Sequence, residues 1–234
     1  ILRGCALAQN RVWALLRGEF MMGGEFIARL RLIRTMGVGP VAWHQLMRRF
    51  GSAVDALYAL PHSGLRRDKK PLSLIEQASI EDEIGRVSSL GARHIFFDDD
   101  DYPLFLRQVD VPPPVLIALG RTEMMQRTSV AIIGARNASA AACRFARQMA
   151  HDVAAEGVTI VSGLARGVDA AAHIGALDGQ TCAVIGCGHD VVFPPENAAL
   201  QERLGEQHLI LSEYPPGTEA LARHFPARNR IIAG

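Results

Sequence analysis

Val158-Thr-Ile-Val-Ser-Gly-Leu-Ala-Arg-Gly-Val-Asp-Ala-Ala-Ala-His173 is the stretch whose reading decides the fold. It opens as an apolar, β-branched run, which suits a strand, and the run stops at Ser162-Gly163. A helix-forming stretch starts at about Arg166. Strand, glycine turn, helix is the repeating unit of an α/β sheet. Gly163 and Gly167 let backbone approach another group closely, and a helix start presents N–H groups with no intrahelical partner. Such a turn holds phosphate without a metal, so the chain reads as one that grips a polyanion.

The same pattern recurs on either side. Strands are expected at Ser129–Ile133, Val158–Ser162, Cys182–Ile185 and Leu209–Ser212. Helices are expected at Ser139–Glu156, Gly167–Leu177 and Glu196–Gly205, with another opening after Arg228. Ser139 is placed to cap the first helix, with Phe145, Met149 and Val153 lining one face. Strands that are apolar throughout and separated by helices argue for a parallel sheet covered on both faces. Right-handed crossovers bring every strand's C-terminal end to one edge, where ligands of such sheets sit.

That edge collects Gly134-Ala135-Arg136, Ser162-Gly163, Arg166-Gly167 and Asp169, with Phe225, Arg228, Asn229 and Arg230 from the end of the chain. A nucleic-acid groove needs cations for phosphate, N–H donors, and rings for stacking. Arg136, Arg166, Arg228 and Arg230 are candidates for the first. Gly134, Gly163 and Gly167 permit the second. Phe225, and behind it Phe193 or Tyr214, supply the third. A carboxylate repels an anion, so Asp169 is read as a support that holds Arg136 or Arg166. His173, four residues later on the same face, is read as structural rather than as a general base. The chain has no Gly-x-x-x-x-Gly-Lys-Ser/Thr loop, no Gly-x-Gly-x-x-Gly turn and no nucleophile elbow, which argues against a nucleotide triphosphatase, a dinucleotide enzyme and a hydrolase of that type.

The first third reads differently. Glu25–Met36, Val41–Phe50 and a short segment capped by Ser52 have helical spacing, broken at Gly37-Val-Gly-Pro40 and Gly51. Residues 1–22 read as an extension of no assigned role, 23–66 as a helical domain, 67–80 as a linker and 81–234 as the sheet domain. Within the last, a helix is expected at Glu81–Leu90 and strands at His94–Phe97 and Val115–Leu119. Net charge is +1, but residues 1–70 carry 12 Lys and Arg against 4 Asp and Glu, so a nucleic-acid reading rests on local patches. Cys5, Cys143, Cys182 and Cys187 have no zinc spacing, and Asp98 to Asp101 read as a solvated turn, so neither metal nor cofactor is expected. Free thiols, no run long enough to span a membrane, and a poor signal peptide at Cys5–Leu16 suggest a cytoplasmic protein.

At these residues the chain resembles the DNA-processing protein A family, also called DprA or Smf. The likeness covers about residues 25 to 234. It rests on Ser162-Gly-Leu-Ala-Arg-Gly-Val-Asp-Ala-Ala-Ala-His173, Phe193-Pro-Pro-Glu-Asn197, Ser212-Glu-Tyr-Pro-Pro-Gly217 and Phe225-Pro-x-Arg-Asn-Arg-Ile-Ile-Ala-Gly234. The resemblance implies an extended Rossmann-like domain that continues past Gly234, preceded by a sterile-alpha-motif-like helical domain. It implies a non-catalytic protein that binds single-stranded DNA, forms a homodimer and loads the RecA recombinase in natural transformation. The family's Gly-Ser/Thr-Arg turn falls on Gly134-Ala135-Arg136, where Ala135 removes a hydroxyl worth about 1 kcal/mol. The family's basic position beside Phe225 falls on Arg223 or His224. The alternative is a phosphoribohydrolase-like enzyme on the same fold, of which Tyr214-Pro-Pro-Gly-Thr-Glu219 is a faint echo.

Overall fold

The computed structural model describes residues 23–60 and 73–234. It divides into two compact units, with the boundary between Asp82 and Glu83. The expected extension 1–22 and residues 67–72 of the expected 67–80 linker lie outside the described residues, and the last four linker positions, 77–80, are helical.

The first unit is helical, with α1 (23–34), α2 (Pro40–Phe50) and α3 (Ala53–Ala59). Gly37, at φ +91°, turns the chain after α1, and Pro40 takes the first position of α2, where its missing N–H costs nothing. Ser52 caps α3 by accepting from the Asp55 N–H, as its position predicts. The Glu25 carboxylate accepts from the Ala53 N–H at 2.8 Å and ties the start of α3 to α1. Leu32, Trp43, Leu46, Ala53 and Leu57 fill the core. Helical spacing puts Val41, Leu46, Met47 and Phe50 on one side of α2; Leu46 is buried and Met47 and Phe50 pack against the core, whereas Val41 is half exposed and Trp43 is buried. Helix α4 (Gln77–Ser89) begins earlier than the pattern at Glu81 suggests and carries the unit boundary.

The second unit is a six-stranded sheet: β1 (Ala92–Phe96), β2 (Val115–Gly120), β3 (Ser129–Ala131), β4 (Thr159–Ser162), β5 (Thr181–Val184) and β6 (Leu209–Ser212), in the order β1-β2-β6-β5-β4-β3. Strands β3, β4, β5 and β6 are parallel, with Ile160 opposite Val130 and Ala183 opposite Ile210. The sheet as a whole is mixed, because β2 runs antiparallel to both β1 and β6. Between β1 and β2 the chain makes one 3-10 turn, Leu106–Gln108, and supplies no helix of the kind that returns a strand in parallel.

Helices α5 (Ala140–Ala155), α6 (Val168–Gly175) and α7 (Ala198–Gln207) each link two successive parallel strands. All three cover one face, on Ile160, Ala183 and Ile210. The other face carries Cys182, Val184, Leu209 and Leu211 and packs against α8 (His224–Ala233) through Ile231 and Ile232. Helices therefore lie on both faces, and the β4 and β5 turns open on one edge of the sheet.

The inward stripe of α5 is only partly the expected one: Val153 packs against the core, but Phe145 and Met149 do not lead it. Ala146, Ala150 and Ala154 are buried, whereas Phe145 is 66% and Met149 40% exposed. Ala150 and Ala154 meet Ala172 and Ala176 of α6 in one cluster, and small residues on both helices bring their axes too close for larger side chains.

Candidate nucleic-acid interface

A cleft of about 460 Å³ opens at the C-terminal edge of β4 and β5. Its walls include Arg136, Gly163, Arg166, Phe193, Phe225 and Arg228. A second hollow of about 750 Å³ shares Arg136, Ala165, Phe225 and Arg228 with it and adds Gly134, Asp169 and Asn229. The shared residues make the two hollows one trough.

The β4 turn is built for close approach. Gly167 has φ +79°, and a Cβ there would overlap the Ala135 carbonyl of the neighbouring turn. A Cβ at Gly163 would overlap the Arg228 guanidinium. Gly163 thus makes room for an arginine of the protein itself. Leu164, fully buried, also has positive φ, at 55°, a conformation that costs a non-glycine residue about 1 kcal/mol or more.

The start of α6 is occupied. Val168 donates its N–H to the Ala135 carbonyl at 3.3 Å, and Ala170 donates to Ala165. The Asp169 carboxylate accepts from the Gly134 N–H. The expectation of bare donors is therefore corrected for these groups: the Val168 N–H goes to the neighbouring turn, the Ala170 N–H to Ala165 of its own turn, and the Gly134 N–H to Asp169. Ser162 is likewise committed, its hydroxyl donating to the Ile132 carbonyl at 2.6 Å while fully buried.

The four arginines take four different places. Arg228 is 4% exposed and donates to the Val184 carbonyl at 2.5 Å. It forms the floor of the trough, not its lip, because α8 opens at His224 rather than after Arg228. Helical spacing then places Arg228 on the buried face with His224, Ile231 and Ile232. Arg230 is turned away and pairs with Glu213 at 2.6 Å. Arg166 stands at the rim but pairs with Glu196 at 3.4 Å. Arg136 is exposed, and among the described residues no carboxylate lies within ion-pair distance of it. Its guanidinium sits over the Phe225 ring, 4.7 Å from the centroid. Phe225 also stacks on Phe193, with centroids 5.5 Å apart and an interplanar angle of 29°. Arg223 is exposed at the start of α8 but does not line the trough, and Asn229 lines the second hollow. His224 is buried, bonds the Gly186 carbonyl and stacks on Tyr214, so neither ring faces the trough.

The two supporting residues take other partners than expected. Asp169 pairs with neither Arg136 nor Arg166. Burial pushes its carboxyl up, and the charge of Arg228 partly offsets that. Burial pushes Arg228 down, with Asp169 opposing. Beneath the trough each charge thus opposes the shift that burial imposes on the other. His173 is fully buried, and its Nδ1 meets the Thr181 hydroxyl at 2.7 Å. That hydroxyl donates to the Ile160 carbonyl, so Nδ1 carries the proton. Burial lowers its pKa to about 3, and it is a neutral brace between α6 and β5.

Asn197, to which the sequence assigned no role, shapes the rim. Asn197 donates from Nδ2 to the Leu164 carbonyl at 2.9 Å and lies 3.4 Å from that of Ala165. It fixes the 193–197 segment to the β4 turn and sets Glu196 beside Arg166. The signal was present in Phe193-Pro-Pro-Glu-Asn197, but no spacing rule shows which partner Asn197 takes. The Pro215–Gly217 turn, the faint enzymatic echo, is held by Asp190, which accepts from the Gly217 N–H at 2.7 Å, and it does not line the trough.

The family described as DNA recombination-mediator protein A matches residues 93–234, more than half of the sequence. The chain belongs to the DprA family. A DprA-like N-terminal HHH domain matches residues 24–85. The DprA protein of Streptococcus pneumoniae is 44% identical over 138 residues, covering 58% of this chain and 49% of that protein. The Smf protein of Synechocystis is 36% identical over 220 residues, 85% of this chain and 53% of that one. This chain spans about half the length of the curated DprA relatives it matches. The solved S. pneumoniae DprA superposes with a TM-score of 0.62 at 39% identity, covering 68% of this chain and 55% of that one. DprA from Helicobacter pylori, solved to show its mode of binding single-stranded DNA, gives 0.56 at 31% identity, over 62% and 66%. No described helix is long and apolar enough to cross a membrane.

Proposed function

We propose that this chain binds single-stranded DNA along the trough and acts as a non-catalytic recombination mediator. The observation that carries this reading is the pairing of Arg136 with Phe225. An exposed arginine, with no described carboxylate partner, lies over a ring that lines the same trough. Phosphate needs the first group and a base needs the second. The buried Arg228 adds positive potential from below, and low-dielectric walls focus it. His173, neutral and tied to Thr181, is a brace and not a base. The further parts of the proposal rest on family resemblance: delivery of the strand to RecA, a homodimer, and work in the cytoplasm on DNA taken up in transformation.

Phe225→Ala tests the ring's part. Losing one stacked base costs about 1–3 kcal/mol, so affinity for an oligo-dT strand falls roughly five- to a hundredfold while its dependence on salt stays the same. Unchanged affinity in a variant with an unchanged melting temperature removes Phe225 from the interface.

A further inference from the structure

The Arg166–Glu196 pair raises a question that the DNA-binding reading leaves open. Both side chains are more than half exposed, and an exposed pair of this kind contributes little to stability. Yet it is not a chance meeting of surface charges. Asn197, next to Glu196, is anchored to the Leu164 and Ala165 carbonyls of the turn that carries Arg166. The 3-10 turn Pro195–Asn197, preceded by Pro194, holds the carboxylate at the start of α7. The result is a carboxylate tethered to a rim arginine, in the position a phosphate would take.

We propose that Glu196 is a built-in competitor of phosphate at Arg166, which makes the trough select a strand over an isolated anion. This rests on the DNA-binding reading above. A tethered partner acts at an effective concentration on the order of millimolar, so a lone phosphate must reach that level to displace it. A strand already held at Arg136 and Phe225 presents its next phosphate to Arg166 at a comparable effective concentration, and it can exchange with the carboxylate. Glu196 therefore weakens strand binding slightly and single-anion binding more. It acts through Arg166 and is a positioning residue.

The test is oligo-dT titration of the wild type and of Glu196→Gln, alone and in an Arg166→Ala background, with Arg136→Ala as reference. Inorganic phosphate at matched ionic strength serves as the competitor. Removing the carboxylate should tighten strand binding about two- to fivefold. The salt slope should steepen by up to ~0.7, one more engaged phosphate. Inorganic phosphate should compete at lower concentration than in the wild type, and all three effects should vanish when Arg166 is absent. If Arg136→Ala weakens binding but Glu196→Gln changes neither affinity nor competition, the Glu196 role is overturned and the interface stands. An effect that persists in the Arg166→Ala background also overturns it, because the carboxylate would then act by general repulsion. If Arg136→Ala binds as the wild type does, the interface itself has failed.

Discussion

Arg228 and His173 show how one residue's surroundings rewrite its chemistry. In sequence, Arg228 reads as a phosphate ligand and His173 as a structural residue on the same helix face as Asp169. In the fold, Arg228 fills the space left by Gly163 and reaches the Val184 carbonyl, while His173 braces Thr181. Both are buried, and burial penalises the charged form of each. For His173 the consequence is measurable. Its folded pKa is about 3, below the unfolded value near 6.5, so the stability it contributes is present above about pH 6.5. That stability is lost as pH falls, because the unfolded chain takes up a proton the folded one refuses. His189, lowered to about 4 by burial, acts in the same direction, and Asp169, raised by burial, acts in the opposite one. Each histidine removes about 1.4 kcal/mol per pH unit below 6.5. Urea unfolding at pH 7 and pH 5 should therefore show a loss of about 2 kcal/mol or more at pH 5. Equal stability at the two values would mean that these rings are hydrated in the folded protein.

At the scale of elements, the periodic signals located nearly everything and failed where two elements had to agree. Strand β6 falls where its apolar run predicts, and Ser52 and Ser139 cap α3 and α5. The inward face of α5 went to alanines, because the neighbouring helix is alanine-rich as well, a fact that no single-helix pattern contains. Two substitutions separate the readings. Ala150→Leu overpacks the α5–α6 contact and should cost about 1–3 kcal/mol. Phe145→Ala, on the exposed side, should change stability by less than about 0.5 kcal/mol. The reverse order in chemical denaturation would restore the Phe145 face as the core. Helix α8 is the other lesson. With its start placed after Arg228, the segment reads as a loop of cations. Starting at His224 instead, it buries His224, Arg228, Ile231 and Ile232 on one side and leaves Phe225 and Asn229 on the trough. That periodicity was in the sequence, masked by Pro226, which a first helical turn tolerates.

For the whole molecule, the strand-turn-helix repeat made the edge of the sheet readable, and with it the convergence of Arg136, Arg166, Phe225 and Arg228 on one trough. What pattern could not supply was the division of labour among them. Ion pairs with Glu196 and Glu213, burial, and carbonyl contacts are decided by residues far apart in the chain. Four expected cations reduce to one exposed arginine unpaired among the described residues, one rim arginine shared with a carboxylate, one buried in the floor and one turned away. The central claim is that Arg136 engages the sugar-phosphate backbone. The most direct measurement is the affinity of wild type and Arg136→Ala for one oligo-dT strand across a series of salt concentrations. Loss of one phosphate contact should weaken binding at low salt and reduce the slope of log affinity against log salt by ~0.7. Parallel lines of equal affinity would contradict the account.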